Sequence, residues 1–127
     1  MVKETITYTD YNGVERKEEY LFNLNKAELM ELELTTEGGL SAMIQSIVDA
    51  NNIPEIVKIF KKLLLMAYGK KSPDGRRFIK SEELSKEFAQ TEAYSELFME
   101  FATNAEKAAE FINKMIPEIP EVPENNK

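Results

Sequence analysis

The chain has 127 residues, which is enough for one ordinary domain and too few for two separate hydrophobic cores. It contains no histidine and no cysteine, so Ser-His-Asp and Cys-His catalysis, ordinary zinc sites, and haem or iron–sulfur groups held by those ligands are excluded. Its net charge of −7 argues against a general nucleic-acid binder, because neutralising phosphates requires a surplus of Lys and Arg. Carboxylate-only catalysis and a bound divalent cation are left open by the composition, but we expect a protein without enzymatic activity and without cofactor or metal.

The distribution of apolar residues gives no sign of a membrane protein. The longest apolar run is the six residues Leu63–Tyr68, about a third of what a membrane-spanning helix needs. The first residues, beginning Met1-Val2-Lys3-Glu4, lack the apolar stretch of a signal peptide. These two features predict a location in the cytoplasm.

Residues 4–24 have the alternation of a β-hairpin, with a loop around Asn12-Gly13. A two-residue Asn-Gly turn would place Ile6 opposite Glu19. A three-residue loop, with Gly13 in a bulge, pairs position 10 with position 14 and makes even positions face even positions. We favour the three-residue loop because it gathers four apolar side chains on one face. These are Ile6, Tyr8, Tyr20 and Phe22.

From residue 25 the apolar period becomes that of helices. Asn25 and Glu28 have the spacing of a capping box, which predicts a first helix ending near Leu34. A second helix is predicted to end near residues 51–52, and a third to begin around Pro54, which is tolerated in a first turn. Gly69 is in the position expected of a glycine that ends the third helix.

The remaining part is predicted to begin with a turn and to continue as helices. Residues 72–75, Ser-Pro-Asp-Gly, form a strong turn signal, and residues 76–80 could form a short extended piece. Ser81, Thr91 and the pair Thr103-Asn104 are candidate helix caps. Whether residues 82–116 form two helices or three is left open by the pattern.

The predicted organisation is a single domain at residues 1–116, followed by a flexible tail at residues 117–127. The tail repeats Pro-Glu-apolar every three residues, which favours polyproline II over helix or strand. The predicted fold class is α+β and mostly α, with the N-terminal hairpin 4–24 followed by a helical part at 25–116 of about five to six short helices.

Basic residues are concentrated in one stretch. Eight of the sixteen fall between Lys58 and Lys80, and aromatic residues lie near them. Since aromatic and Arg side chains are common anchors at protein interfaces, this stretch is the best candidate site. The alternative is that these cations pair with the acidic helix that follows Ser81. The predicted partner-binding residues are Tyr68, Lys70, Lys71, Arg76, Arg77, Phe78, Phe88 and Tyr94.

Two long strings resemble the tail assembly chaperones of long-tailed, non-contractile phages and prophages of Gram-positive bacteria. They are YGKKSPDGRRF at residues 68–78 and QTEAYSEL at residues 90–97. The segment ITYTDYNGVERKEEYLFNLNKAELMELEL resembles the opening hairpin and first helix of the same family. The resemblance covers about residues 4–117.

The resemblance implies a non-catalytic role. Chaperones of this family bind and solubilise the tape-measure protein, a very long helical chain, and help recruit the tail-tube protein. They are absent from the finished virion, often self-associate, and are often made in a second, longer form by ribosomal frameshifting. For self-association we expect the apolar hairpin face of Ile6, Tyr8, Tyr20 and Phe22. The alternative function is a small regulatory or adaptor protein that binds an acidic partner or RNA through Lys58–Lys80.

Overall fold

The computed structural model describes residues 1–49 and 53–115, and in this part the chain forms four strands and six helices. The elements in chain order are β1 (Val2–Thr9), β2 (Glu15–Phe22), α1 (Lys26–Thr35), α2 (Gly39–Asp49), α3 (Ile53–Ala67), β3 (Tyr68–Lys71), β4 (Phe78–Ile79), α4 (Glu82–Ala89), α5 (Glu92–Ala102) and α6 (Ala105–Met115). The predicted α+β, mostly α class is confirmed. The Pro-Glu repeat and the junction between α2 and α3 lie outside the described residues.

The first two strands form the predicted hairpin in the predicted register. Thr9 pairs with Glu15 and Val2 pairs with Phe22, so even positions face even positions. The amide of Asp10 donates to the Val14 carbonyl at 2.8 Å, which closes a three-residue loop. Gly13 has φ +79°, a conformation that glycine adopts without a steric penalty. The two-residue alternative is therefore wrong.

The apolar hairpin face packs against the helices of its own chain. Ile6 and Phe22 are buried, and Tyr8 and Tyr20 are half-buried beside them. β1 contacts α5 and α6, so this face forms part of the single hydrophobic core of the described residues. Ile6 and Phe22 are 5% and 0% exposed and thus have almost no surface to offer to a second copy of the chain.

The predicted caps of the helices are largely confirmed. Asn25 and Glu28 form the complete capping box at the start of α1. The Ser81 side chain accepts a hydrogen bond from the Leu84 amide, and Thr91 accepts one from the Tyr94 amide. Asn104 accepts from the Lys107 amide at 3.1 Å and so caps α6. The described part of 82–116 therefore holds three helices.

The strand β3 was not predicted, and the role assigned to Gly69 was wrong. The helix α3 ends at Ala67, whose carbonyl accepts a hydrogen bond from the Asn23 amide at 2.8 Å. Gly69 lies within β3 and is needed for close packing rather than for a left-handed helix end. A Cβ atom at this position would lie 2.6 Å from the Phe78 ring and 2.7 Å from the Ile79 carbonyl oxygen.

The predicted turn at residues 72–75 connects β3 to β4. The Gly75 amide donates to the Ser72 carbonyl at 2.9 Å, and Gly75 has φ +76°. Ser72 is buried, with its hydroxyl donating to Asp74 and accepting from the Arg77 amide. The predicted extended piece at 76–80 is confirmed in shorter form, since only Phe78 and Ile79 pair with β3.

Among the helices of residues 1–49 and 53–115, none combines the length and the apolar character that crossing a bilayer requires.

Replacing Gly69 by alanine should destabilise the fold, because the new methyl group would clash with the Phe78 ring and with backbone. We expect the free energy of unfolding to fall by about 1–3 kcal/mol, measured by urea denaturation. Lys71→Ala in the same strand is the control, and its exposed side chain predicts a change within about 0.5 kcal/mol. Equal stability of Gly69→Ala and the wild type would show that the close contact is not a constraint.

Candidate functional site

A groove opens where the sheet splits between its second and third strands. β2 and β3 pair only at Leu21–Gly69 and Phe22–Tyr68, whereas Lys70 and Lys71 pair with β4. The free stretches of β2 and β3 and the helix α4 enclose a volume of about 770 Å³. We call this the aromatic groove. Its lining residues are Glu18, Glu19, Tyr20, Leu21, Tyr68, Gly69, Lys70, Lys71, Leu84, Glu87, Phe88 and Thr91.

The floor of the aromatic groove is built from stacked rings. Tyr68 and Phe88 stack with their centroids 4.4 Å apart and their planes 16° apart. Tyr20 lies 5.3 Å from Phe88, and Tyr94 meets Phe88 edge to face at 5.5 Å. Burial raises the pKa of the Tyr68 hydroxyl, and the nearby charge of Glu87 raises it further. The floor is therefore apolar and uncharged at neutral pH.

One rim of the groove carries a compact hydrogen-bonded cluster of Tyr8, Glu18 and Tyr20. The Tyr8 hydroxyl donates to the Glu18 carboxylate at 2.5 Å, and the Tyr20 hydroxyl donates to the same oxygen at 3.0 Å. These two hydrogen bonds, led by that from Tyr8, lower the pKa of Glu18. Burial, with smaller contributions from Tyr8 and Glu18, raises the pKa of Tyr20. Glu18 is therefore held as a carboxylate on this rim.

The opposite rim carries two lysines. Lys70 and Lys71 are exposed, and among the ion pairs of the described residues neither takes part in one. The β3 rim of the groove therefore offers positive charge to a bound molecule.

The alternative interpretation, in which the basic stretch pairs with the acidic helix α4, finds no ion pair within residues 1–49 and 53–115. Lys80 instead donates to both carboxylate oxygens of Glu28 in α1, each at 2.8 Å, and both side chains are largely buried. Arg76 and Arg77 are exposed on the β3–β4 turn. Lys80, although it directly precedes the N-cap residue Ser81, thus pairs with α1 and not with α4.

The structure brings together half of the predicted partner-binding residues. Tyr68, Phe88, Lys70 and Lys71 line the aromatic groove, and Tyr94 supports its floor from below. Arg76, Arg77 and Phe78 do not line it. Phe78 packs over Gly69, with the Lys80 ammonium 5.8 Å from its ring centre. The stretch Lys58–Lys80 is divided in the same way, since Lys58 and Lys62 lie on α3 and line a different groove with Met43 and Ile59.

Several lining residues were not recognised from the sequence. Tyr20 was assigned to self-association, yet it forms part of the groove wall. Leu84 and Glu87 are three residues apart on α4, so they lie on the same helix face and both line the groove. The spacing of Leu84, Glu87 and Phe88 could have indicated one face of α4, but the opposing strand depended on the unpredicted β3.

No group of three or more acidic side chains within the described ranges could hold a metal ion. Of the groove carboxylates, Glu18 accepts hydrogen bonds from Tyr8 and Tyr20, and Glu19 lies 3.9 Å from the Lys3 ammonium. The arrangement is that of a binding surface with an apolar floor and rims of opposite charge.

A protein-family model described as phage tail assembly chaperone matches residues 1–122. The match includes all four strands and all six helices of the described part, and thus the whole aromatic groove. No curated protein and no solved structure matches the chain.

Replacing Tyr8 by phenylalanine should raise the pKa of Glu18 toward its ordinary value, because the stronger of the two hydroxyl donors is lost. Carboxyl carbon chemical shifts followed by NMR titration give this pKa directly. Because the fold lowers the pKa of Glu18, the ionised carboxylate stabilises the folded state at pH values above the ordinary carboxyl pKa. This stabilisation is lost as the pH falls through the lowered pKa. Tyr11→Phe is the control, since the Tyr11 hydroxyl bonds Glu92 instead. An unchanged Glu18 pKa in Tyr8→Phe would show that the hydrogen bond from Tyr8 does not lower it.

Proposed function

The chain belongs to the phage tail assembly chaperone family, and from that premise we propose that it binds and solubilises the tape-measure protein through the aromatic groove. The proposal includes help in recruiting the tail-tube protein, action in the cytoplasm of the bacterial host, and absence from the mature virion. It describes a non-catalytic protein whose activity consists of reversible binding. The observation that carries it is the aromatic floor between rims of opposite charge.

The groove has the chemistry that an amphipathic client segment requires. Apolar side chains of the client would cover the half-buried Tyr20, Leu21 and Leu84, which line the groove above the rings of its floor. Its charged side chains would meet Glu18 on one rim or Lys70 on the other. Binding in grooves by apolar anchors with charged flanks is a common mode of recognising helical segments. Tyr68 and Phe88 are only 7% and 2% exposed, so they form the closed base of the groove.

The direct test is co-expression with the tape-measure protein encoded in the same genome. If that protein is no more soluble with this chain than without it, the proposal fails. Two variants locate the site. We expect the double change Lys70→Glu and Lys71→Glu, and separately Leu84→Gln, to weaken client binding about tenfold or more, because each alters side chains that line the groove. Lys70 and Lys71 lie outside the core cluster, whereas Leu84 is half-buried and packs against it, so the lysine variant separates binding from folding more cleanly.

Lys61→Glu is a control for the charge reversals, and its comparison is with the single change Lys70→Glu, which alters the net charge by the same amount. Lys61 is exposed on α3, belongs to the same basic stretch, and does not line the aromatic groove. Client binding should be unchanged by it. If Lys61→Glu weakens binding as much as the groove variants do, the binding depends on overall charge. Steep loss of affinity with salt would then favour the adaptor or RNA-binding alternative.

We also propose self-association through the hairpin, now at a different surface from the expected one. Within the described residues β1 pairs with β2 on one side only, so its other edge has free backbone groups. Because Ile6 and Phe22 are buried, a second copy would contact this edge or the outward face with Lys3, Thr5 and Thr7. Sedimentation velocity over a wide range of concentrations tests the proposal, and a monomer throughout would contradict it.

A further inference from the structure

We infer that chains associate head to tail, with the β3–β4 turn of one copy bound in a cleft at the free β1 edge of the next copy. The inference rests on the self-association proposed above and names the surface of the second copy that meets the β1 edge. The turn carries positive charge and the cleft carries negative charge, so the occupant that we assign to the cleft is a second copy of this chain.

The cleft lies between β1 and α5 and has a volume of about 490 Å³. Four consecutive residues of β1, Glu4 to Thr7, line it. Because successive side chains of a strand point to opposite faces, a lining of consecutive residues places the cleft at the edge of the strand and not on one face of the sheet. Within the described residues β1 pairs only with β2, so the backbone groups of this edge have no strand partner. We call this the edge cleft.

The edge cleft offers two carboxylates to a bound cation. Glu96 is exposed, Glu4 is half-buried, and neither forms an ion pair within the described residues. Burial raises the pKa of Glu4, and the charge of Glu100 raises it further, so a cation placed beside Glu4 would be stabilising. Glu100 is paired with Lys107 at 3.0 Å. Met99, which is 55% exposed, adds apolar surface to the same cleft.

The β3–β4 turn presents two arginines on an ordered support. The Arg76 amide donates to the Asp74 carboxylate at 3.0 Å, and the Arg77 amide donates to the Ser72 hydroxyl at 3.0 Å. The Ser72 hydroxyl donates in turn to Asp74, so the carboxylate of the turn holds its own backbone. Both arginines are exposed, and neither forms an ion pair within the described residues. A turn that is ordered before binding loses less conformational entropy on binding.

The charges favour a head-to-tail contact over a two-fold one. A guanidinium group binds a carboxylate through paired N–H donors, and the two arginines of the turn correspond to the two carboxylates that the edge cleft offers. A two-fold pairing of two β1 edges would instead bring two acidic clefts together. Repulsion between like charges opposes that arrangement.

The sheet separates the two surfaces, so that one chain can use both at once. The strand order is β1-β2-β3-β4, with the edge cleft at the first strand and the turn between the last two. Arg76 and Arg77 do not line the aromatic groove, so this contact leaves the groove open to a client. Head-to-tail contacts repeat from copy to copy and produce a closed ring or an open filament. Because a single turn buries little surface, we expect association to be weak and reversible.

Two variants test the inference, and each alters exposed residues of one surface only. The turn variant carries Arg76→Glu and Arg77→Glu, and the cleft variant carries Glu96→Lys and Met99→Lys. Each lacks one of the two surfaces, so we expect the dissociation constant of self-association, obtained from sedimentation velocity, to rise about tenfold or more. In an equimolar mixture, the intact turn of the cleft variant should bind the intact cleft of the turn variant. The mixture should therefore form dimers and nothing larger.

Lys17→Glu combined with Lys61→Glu is the control for net charge, since it changes the charge by the same amount as the turn variant. Both lysines are exposed, lie outside the turn and do not line the edge cleft. This control should associate like the wild type. If it associates as weakly as the turn variant does, overall charge governs the association and the inference fails.

The outcomes separate this inference from the proposed self-association. A wild-type chain that is monomeric at every concentration contradicts both. If the wild type associates and the turn variant associates equally well, self-association stands but the turn is not the partner of the β1 edge. A mixture of the two variants that stays monomeric, or that grows beyond a dimer, would overturn the head-to-tail contact.

Discussion

Phe22 occupies the point where the sheet and the helices meet, and the position of the groove depends on its packing. Its side chain is fully buried, and its ring lies 5.9 Å from Tyr68, 5.8 Å from Phe88 and 5.4 Å from Phe111. One residue thus joins β2 to β3, α4 and α6. Because protein interiors are close-packed, a change of shape here would move Tyr68 and Phe88, which form the groove floor. Phe22 also pairs with Val2 at the open end of the hairpin, in the last pair of the β1–β2 ladder.

The parts of the fold that were predictable from the sequence are those set by local rules. The hairpin register followed from the requirement that Ile6 and Phe22 share a face, and four helix caps followed from side chains that satisfy free helix amides. The strand β3 could not be predicted, because residues 68–71 have no alternation of their own and pair with β2 across more than 40 residues of sequence. Gly69 was misassigned for the same reason, since its close neighbours Phe78 and Ile79 are brought to it only by the fold.

For the candidate site, the types of residue could be predicted from the sequence, but their arrangement in space could not. Aromatic and basic side chains were expected near residues 68–80, and Tyr68, Lys70 and Lys71 do share one groove with Phe88. What the sequence did not indicate was the split between β2 and β3 that creates the groove. This split follows from pairing at only two positions, after which β3 turns to β4. An apolar floor between charged rims fits the binding role that we propose for this chaperone.

Hydrogen exchange of the chain, alone and bound to a soluble fragment of the tape-measure protein, tests most directly whether the groove binds the client. We predict that client binding protects amides of Glu18–Leu21, Tyr68–Lys71 and α4, where the groove is built. Amides of α1 and of the outer strand β1 should exchange at the same rate in both samples. Protection confined to β1 or to the α1–α2 region, with the groove unchanged, would contradict the account.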